Sequence, residues 1–300
     1  GSQYKDMGKE FYDTIPECKK VIELGSDILG FDLAAKIFGG DEKELSRTII
    51  SQPAILAMSL MALEAAKSKG IEASAVAGHS LGEYAAMAAS GMLTYENAFR
   101  AIKYRSEAMD KAAQANPGGM AAVLGLKADI IEQVCKEIED GGEYVTPVNY
   151  NSPVQTVVAG SKNAISQFKE NAKEVSARVI DLAVSAAFHS PYMDGAAAEF
   201  KKYLKNTELK TPGLDVYANY TAKPYEGSVF DTISMQMNNP VRWCDTVKNM
   251  ISDGYTDFIE AGAGKTLCGL IKKISSEVKT YSVEDFESLK LTVEAVKADA

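Results

Sequence analysis

The pentapeptide Gly-His-Ser-Leu-Gly at positions 78–82 constrains the fold of this chain more than any other segment. It follows the apolar run at 73–77 and leads into a helix-forming stretch that begins at Glu83. A strand, a Gly-x-Ser-x-Gly turn and a helix together form a nucleophile elbow, in which the serine side chain projects from a sharp bend. The two glycines permit that bend because neither carries a Cβ atom. We therefore predict that Ser80 is a nucleophile at the N-terminus of a helix.

The residues on either side of Ser80 differ in what they can contribute. The backbone N–H of Leu81 belongs to the start of the predicted helix, where the helix dipole and free N–H groups favour negative charge. We predict that this N–H stabilises an oxyanion formed at Ser80. His79 is adjacent to Ser80, and adjacent side chains diverge from such a turn, so His79 is a poor base for this serine. We assign His79 to substrate binding instead.

A serine hydroxyl needs a general base to act as a nucleophile at pH 7. The chain has two histidines, and with His79 set aside only His189 remains. It follows the strand-like run at 179–184 and precedes a new helix, where α/β enzymes place catalytic groups. We predict that His189 is the base. The acids Asp181 and Asp194 are generic, so a backbone carbonyl or a side-chain amide is the alternative partner that fixes the imidazole tautomer.

Composition narrows the possible functions further. The 300 residues, 46% of them hydrophobic, can form one large domain or one domain with an insertion. The formal net charge of −9 argues against nucleic acid as a partner.

The cysteines and the apolar segments indicate the compartment. The four cysteines are far apart, which predicts no metal site and no disulfides, as in a reducing cytoplasm: Cys18, Cys135, Cys244 and Cys268. The longest apolar stretch, at 54–63, is too short to span a bilayer, and no signal sequence opens the chain. We expect a cytoplasmic protein without a membrane partner.

Helix-like and strand-like segments alternate along the chain, which predicts an α/β fold. A helix is predicted at 53–69, with proline in its first turn. The segment 116–119, Asn-Pro-Gly-Gly, is a strong break, and the elements after it follow the strand-helix-strand-strand-helix-strand order of a ferredoxin-like unit. We predict an α/β-hydrolase-like catalytic domain with a parallel sheet, formed by 1–116 and 185–300, and an inserted ferredoxin-like subdomain at 117–184.

Several short motifs follow one another along the chain: Ser51-Gln52-Pro53-Ala54, Gly78-His79-Ser80-Leu81-Gly82-Glu83, Arg105, Asn151-Ser152-Pro153, Phe188-His189-Ser190, Gln236 with Asn239-Pro240-Val241-Arg242-Trp243, and Glu260-Ala261-Gly262-Ala263-Gly264. In this order they resemble the motifs of malonyl-CoA:acyl carrier protein transacylases and of the acyltransferase domains of fatty acid and polyketide synthases. The resemblance covers nearly the whole chain. An ordered set of this kind is far more specific than any one of its members.

The resemblance implies a ping-pong reaction without a cofactor. Ser80 would take the malonyl group from malonyl-CoA as an ester, and His189 would then activate the phosphopantetheine thiol of an acyl carrier protein, which accepts that group. It also implies that the backbone carbonyl of Gln236 supports His189 and that Arg105 binds the malonyl carboxylate. Phe188 resembles the family variant associated with malonyl rather than methylmalonyl groups.

Members of that family open with an apolar strand that ends in Gly-Gln-Gly-Ser-Gln, and the central glutamine supplies a second N–H to the oxyanion. The present sequence begins at Gly1-Ser2-Gln3. We therefore expect this polypeptide to lack that donor, the loss of which lowers the rate by about 10²–10³-fold.

Two other functions stay open on the sequence alone. A serine esterase or thioesterase of the α/β-hydrolase type would place an acid between Ser80 and His189 in chain order and would not need Arg105. A catalytically silent module that docks carrier proteins would not become acylated.

The stretch at 262–266, Gly-Ala-Gly-Lys-Thr, suggests a phosphate loop, but Ile259 stands where that motif requires glycine. We predict a turn that leads into a helix.

Overall fold

The computed structural model describes residues 2–174, 177–184 and 186–299. Its helices are α1 (Lys9–Thr14), α2 (Pro16–Leu29), α3 (Glu42–Leu45), α4 (Thr48–Lys67), α5 (Gly82–Ala89), α6 (Tyr95–Ala115), α7 (Ala128–Asp140), α8 (Lys162–Glu174), α9 (Asp194–Leu204), α10 (Val229–Ser234), α11 (Trp243–Ser252), α12 (Thr266–Ile274) and α13 (Phe286–Asp299). Its strands are β1 (Ala75–Ala77), β2 (Gly119–Leu124), β3 (Val145–Ser152), β4 (Gln155–Gly160), β5 (Arg178–Asp181), β6 (Asp215–Tyr217), β7 (Asp257–Ala261) and β8 (Lys279–Val283).

The chain divides into two compact units. The first comprises Gly1–Glu107, Thr207–Tyr217 and Gly254–Ala300, and the second comprises Ala108–Asn206 and Ala218–Asp253. In the first unit β1 pairs with β6 and β7 pairs with β8, and both pairs are parallel. Parallel pairs need long crossover connections, which here contain helices, as in other α/β proteins. The predicted α/β class with parallel strands is confirmed.

Helix α4 forms much of the core of the first unit, and it begins earlier than the sequence predicts. It starts at Thr48 rather than at Pro53, which lies inside the helix. Proline removes one intrahelical hydrogen bond, but the residues on both sides of it, Gln52 and Ala54, are buried with it, so packing holds this turn helical. The whole helix, unlike the apolar stretch at 54–63 alone, is long and apolar enough to cross a membrane. However, 72% of its most apolar window is buried, as in a core helix.

The second unit contains an antiparallel sheet with the strand order β3-β4-β2-β5. This order, with α7 following β2 and α8 following β4, is that of the predicted ferredoxin-like unit. Apolar residues of α7 and α8, among them Ile131 and Phe168, pack on one face of the sheet. Ala187 and Phe188 pack with residues of the other face, so the segment that precedes His189 lies on this sheet. The predicted domain boundaries at 116/117 and 184/185 stay a prediction.

Candidate active site

Strand β1 runs directly into the turn at 78–81, and α5 begins at Gly82. The backbone of Ser80 is left-handed, with φ at 53°. A residue with a Cβ atom adopts this conformation at a cost of about 1–3 kcal/mol, and such strain is found mainly at functional sites. Backbone hydrogen bonds close the turn, from Gly82 N to His79 O (3.0 Å) and from Glu83 N to Ser80 O (3.1 Å). The side chains of His79 and Ser80 are both half-buried. The geometry is that of the elbow that the sequence predicts.

The two glycines of the elbow are not equivalent. A Cβ atom on Gly78 would lie 2.0 Å from the backbone carbon and oxygen of Gly82, so only glycine fits at position 78. A Cβ atom on Gly82 would meet no atom within 4 Å. The interpretation that the bend is possible because a Cβ atom is absent therefore holds for Gly78 and not for Gly82. The bend depends on the absence of a side chain at the end of the strand, where the chain folds back against the helix.

The N–H of Leu81 lies at the N-terminal boundary of α5, where Leu81 already has helical backbone angles (φ −58°, ψ −27°). The first N–H groups of a helix have no acceptor within it, and together with the dipole they favour negative charge. In the described part of the chain no side-chain hydrogen bond caps α5 at this residue. The structure thus places the predicted oxyanion donor at a helix N-terminus, directly after Ser80.

Arg105 points from α6 to the elbow, and its side chain is 1% exposed. Its Nη2 atom donates to Oγ of Ser80 at 3.0 Å, and Nη1 donates to Oε1 of Gln52 at 2.5 Å. Burial lowers the pKa of Arg105, and the neighbouring Tyr84 and Glu83 partly oppose this shift. Arginine nevertheless keeps its charge in proteins. A buried permanent cation therefore lies beside the hydroxyl of Ser80, the predicted nucleophile.

Two neighbours of Arg105 were not predicted as parts of the site. Gln52 belongs to the Ser-Gln-Pro motif, but the sequence does not show that its oxygen accepts from a residue 53 positions away. The ring of Tyr84 lies 5.5 Å from the guanidinium carbon of Arg105, within the range of a cation–π interaction. The sequence offered one chemical signal: a buried arginine requires acceptors and aromatic faces, and Tyr84 lies two positions after the elbow.

The base candidate lies in the second unit and is held by two consecutive peptide groups. His189 is 4% exposed, and its backbone is left-handed with φ at 60°. Its ring Nδ1 is 2.9 Å from the carbonyl oxygen of Gln236, and its backbone N–H donates to the carbonyl of Met237 at 3.1 Å. A carbonyl oxygen only accepts, so Nδ1 carries the proton and Nε2 is left with a basic lone pair. This is the contact with Gln236 that the resemblance implies.

The two acids considered as partners of His189 have other partners. Asp181 pairs with Lys169 at 2.6 Å, and Asp194 accepts a hydrogen bond from Asn238 at 2.8 Å. Phe188 is half-buried and packs against the apolar residues of the small sheet. The roles of Phe188 and of His79 toward a substrate stay predictions.

The glycine-rich turn after β7 is filled by carboxylates of the chain itself. Glu260 accepts hydrogen bonds from the backbone N–H groups of Leu267 (3.0 Å) and Cys268 (2.8 Å) at the start of α12, and Glu284 accepts from that of Gly264 (2.7 Å). Burial raises the pKa of Glu260. A helix N-terminus that binds its own carboxylate has no need of a phosphate. The structure has a turn leading into a helix here, as predicted.

Among the described residues, no group of three or more His, Cys, Asp or Glu side chains could hold a metal ion.

Known proteins are similar to this chain in sequence and fold over nearly their full length. The acyl transferase domain family matches residues 1–290. A malonyl CoA-acyl carrier protein transacylase of Bacillus subtilis is 37% identical over 100% of this chain and 95% of its own length. One from Haemophilus influenzae is 36% identical over 96% of this chain and 94% of its own length.

Solved structures of malonyl transacylases also match this chain. A malonyl-transacylase in complex with a type II polyketide synthase acyl-carrier protein superimposes with a TM-score of 0.94 at 34% identity, over 98% of this chain and 96% of that one. The malonyl CoA-acyl carrier protein transacylase of Clostridium perfringens gives a TM-score of 0.94 at 33% identity, over 99% and 95%. The chain therefore belongs to the acyl transferase domain family and, within it, to the malonyl CoA-acyl carrier protein transacylases.

Proposed function

We propose that this protein transfers a malonyl group from malonyl-CoA to the phosphopantetheine thiol of an acyl carrier protein. The observation that carries the proposal is the buried guanidinium of Arg105, which donates to the hydroxyl of Ser80 at 3.0 Å. Membership of the transacylase family supports the donor. The solved complex of a relative with its acyl-carrier protein supports the acceptor.

In the first half-reaction, Oγ of Ser80 attacks the thioester carbonyl of malonyl-CoA, and Nε2 of His189 takes the hydroxyl proton. The negative charge that forms on the carbonyl oxygen is stabilised by the N–H of Leu81. When the carbon–sulfur bond breaks, the leaving sulfur of CoA takes the proton from His189. The malonyl group is then an ester of Ser80, and CoA has left as the thiol.

In the second half-reaction, His189 removes the proton from the phosphopantetheine thiol of the carrier protein. The thiolate attacks the malonyl ester, the bond to Oγ breaks, and Ser80 recovers its proton from His189. The Gln236 carbonyl keeps Nδ1 protonated, so Nε2 can alternate between base and acid in both halves. Neither half needs a cofactor or a metal.

Arg105 selects the acyl group. The carboxylate of a malonyl ester is one methylene beyond the ester carbonyl, so a guanidinium 3.0 Å from Oγ is within its reach. An arginine can bind a carboxylate through two parallel charge-assisted hydrogen bonds, each worth about 1.5–3 kcal/mol. The carboxylate would also compensate the positive charge that burial disfavours. An acetyl group offers neither interaction.

Two further residues complete the proposed site. Phe188 is next to the base, and we assign it the exclusion of a methyl branch on the malonyl group. One methyl group is worth only about 1–3 kcal/mol in such discrimination, so the preference is soft. His79 is next to Ser80 in the turn, and we retain it as a substrate-binding residue.

The alternatives fit these observations less well. A triad esterase requires an acid on the base, but Nδ1 of His189 bonds to a backbone carbonyl. An esterase for uncharged acyl groups also has no use for a cation beside its serine. A silent docking module would not need Ser80 to keep a strained backbone conformation.

A cytoplasmic location is also part of the proposal, because all four cysteines are free and buried.

The test combines the enzyme with malonyl-CoA and two forms of an acyl carrier protein, one with and one without its phosphopantetheine arm. We expect the mass of the first form to increase by one malonyl group and that of the second to stay unchanged. Release of free malonate without transfer to the carrier would instead indicate a thioesterase.

A further inference from the structure

Two segments of the second unit meet at His189. One is the loop that carries His189 and continues into α9, which begins at Asp194. The other comprises residues 235–239, here called the strap, which follows α10. The strap supplies the Gln236 carbonyl to Nδ1 and the Met237 carbonyl to the backbone N–H of His189. Because the left-handed backbone of His189 is strained, its conformation depends on such external contacts.

The strap is in turn held by side-chain amides at its own end. Nδ2 of Asn239 donates to the carbonyl of Met235 at 2.9 Å and to Oδ1 of Asn238 at 3.0 Å. Nδ2 of Asn238 donates to Oδ1 of Asp194 at 2.8 Å. The strap therefore contacts the segment 189–194 at two places, once at His189 and once at Asp194, the first residue of α9. Asn239 bonds to the first residue of the strap, Met235, and to Asn238, which holds Asp194.

We propose that Asn239 is a positioning residue for the histidine base, an inference that rests on the proposed role of His189. Its amide carries two N–H donors, and both are used to hold the strap. With the strap fixed, the Gln236 carbonyl stays in line with Nδ1, and the neutral ring keeps its proton on Nδ1. If the strap shifts, the ring can carry its proton on Nε2, and in that tautomer it cannot accept a proton from a hydroxyl or a thiol. Asn239, Asn238 and the two carbonyls thus replace the orienting acid of a catalytic triad.

The test uses Asn239→Asp, which keeps the shape of the side chain and removes both donors, and Asn239→Ala, which removes them without adding charge. Asn249→Asp is the matched control. Asn249 also donates from Nδ2 to a backbone carbonyl, that of Ala222 at 2.7 Å, but it lies on α11 outside the strap. The chain has only two histidines, so histidine-selective ¹⁵N labelling gives four ring-nitrogen signals, and a His79 variant assigns them.

In the unaltered protein above the pKa of the ring, we expect His189 to show a protonated Nδ1 and an unprotonated Nε2. Both Asn239 variants should move the ring toward a mixture of tautomers and lower kcat about tenfold or more, with KM for malonyl-CoA little changed, since a general base contributes roughly 10²–10⁴-fold. Asn249→Asp should leave the tautomer and kcat unchanged. An unaltered tautomer in the Asn239 variants, with kcat within twofold of that control, would overturn the inference.

If Asn239→Asp and Asn239→Ala do not fold, Asn238→Ala decides the question. This change removes the attachment to Asp194 at a partly exposed position, and it should shift the tautomer and kcat in the same direction but less. No shift in either quantity would again contradict the inference. The tautomer is measured without substrate, so the result is separate from the proposed function. A His189→Ala variant that still becomes acylated at the normal rate would refute the base but leave the role of Asn239 in orienting the ring intact.

Discussion

Arg105 donates a hydrogen bond to the hydroxyl of Ser80 across 3.0 Å, although Arg105 lies in the middle of α6 and Ser80 lies 25 positions earlier, in the turn before α5. This contact joins the two groups to which we assign the reaction: the proposed nucleophile, Ser80, and the proposed recognition site for the free carboxylate, Arg105. In this structure Nη2 of the guanidinium donates to the serine hydroxyl itself. A carboxylate is a stronger acceptor than a hydroxyl, so we expect the substrate to take over that donor when it binds.

Replacing Arg105 should remove the selectivity for malonyl groups. We expect Arg105→Ala to lower kcat/KM for malonyl-CoA at least about 100-fold, because two charge-assisted hydrogen bonds are lost and 1.4 kcal/mol corresponds to a factor of ten. The value for acetyl-CoA should fall much less. Arg100→Ala is the control, since Arg100 is on the same helix but exposed and paired with Glu96. Equal losses for the two substrates would contradict the assigned role.

Gln52 should matter for selectivity rather than for folding. We expect Gln52→Glu to lower kcat/KM for malonyl-CoA more than tenfold, because the new carboxylate neutralises Arg105 and competes with the carboxylate of the substrate. The melting temperature should change little, since the shape of the side chain is kept. Steady-state kinetics and thermal unfolding measure the two effects. The exposed Gln114→Glu provides the control at the end of α6, and normal malonyl kinetics in Gln52→Glu would refute the prediction.

The two glycines of the elbow should respond differently to the same substitution. Gly78→Ala places a Cβ atom 2.0 Å from the backbone of Gly82, so we expect a loss of at least about 3 kcal/mol in the free energy of unfolding. Gly82→Ala meets no atom within 4 Å and should change that quantity by no more than about 0.5 kcal/mol. Denaturant unfolding of both variants measures the difference. Equal losses would show that the close approach at Gly78 does not determine the bend.

The cysteines should take no part in the reaction. Burial raises the pKa of Cys18 and of Cys135 to about 12 and that of Cys268 to about 11, and it also raises the pKa of Cys244. A raised pKa means that the reactive thiolate is scarcer at pH 8 than in an exposed cysteine. We expect iodoacetamide at this pH to leave the folded enzyme unmodified and fully active, and to modify all four cysteines in denaturant. Inactivation that accompanies modification of one cysteine would point to a thiol in the mechanism.

The parts of the site that local sequence determines were predictable. Five consecutive residues predict the elbow at Ser80, and the scarcity of histidine makes His189 the candidate base, a role that stays a prediction. Arg105 could be assigned only through its position in the motif order, because an arginine on a helix is usually exposed. Its contact with Gln52 was not predictable, since it joins side chains 53 positions apart.

The fold shows the same division between local and tertiary information. The antiparallel sheet could be predicted from the sequence, because its strands alternate with periodic helices over a short stretch. Strand β6, with three residues, has too few positions to show a pattern, and it forms only because β1 pairs with it. The start of α4 was placed too late because Pro53 signals a first turn locally, whereas burial extends the helix back to Thr48. Tertiary packing overrides a local signal here.

The most direct test of the proposed reaction is the mass of the intact protein after mixing with malonyl-CoA in the absence of any acceptor. We predict that each molecule gains one malonyl group, that peptide mapping places it on Ser80, and that Ser80→Ala gains none. Acetyl-CoA should label the protein far less completely. If malonyl transfer to the carrier proceeds with no such adduct on Ser80, or with the adduct on another residue, the double-displacement mechanism through this serine is contradicted.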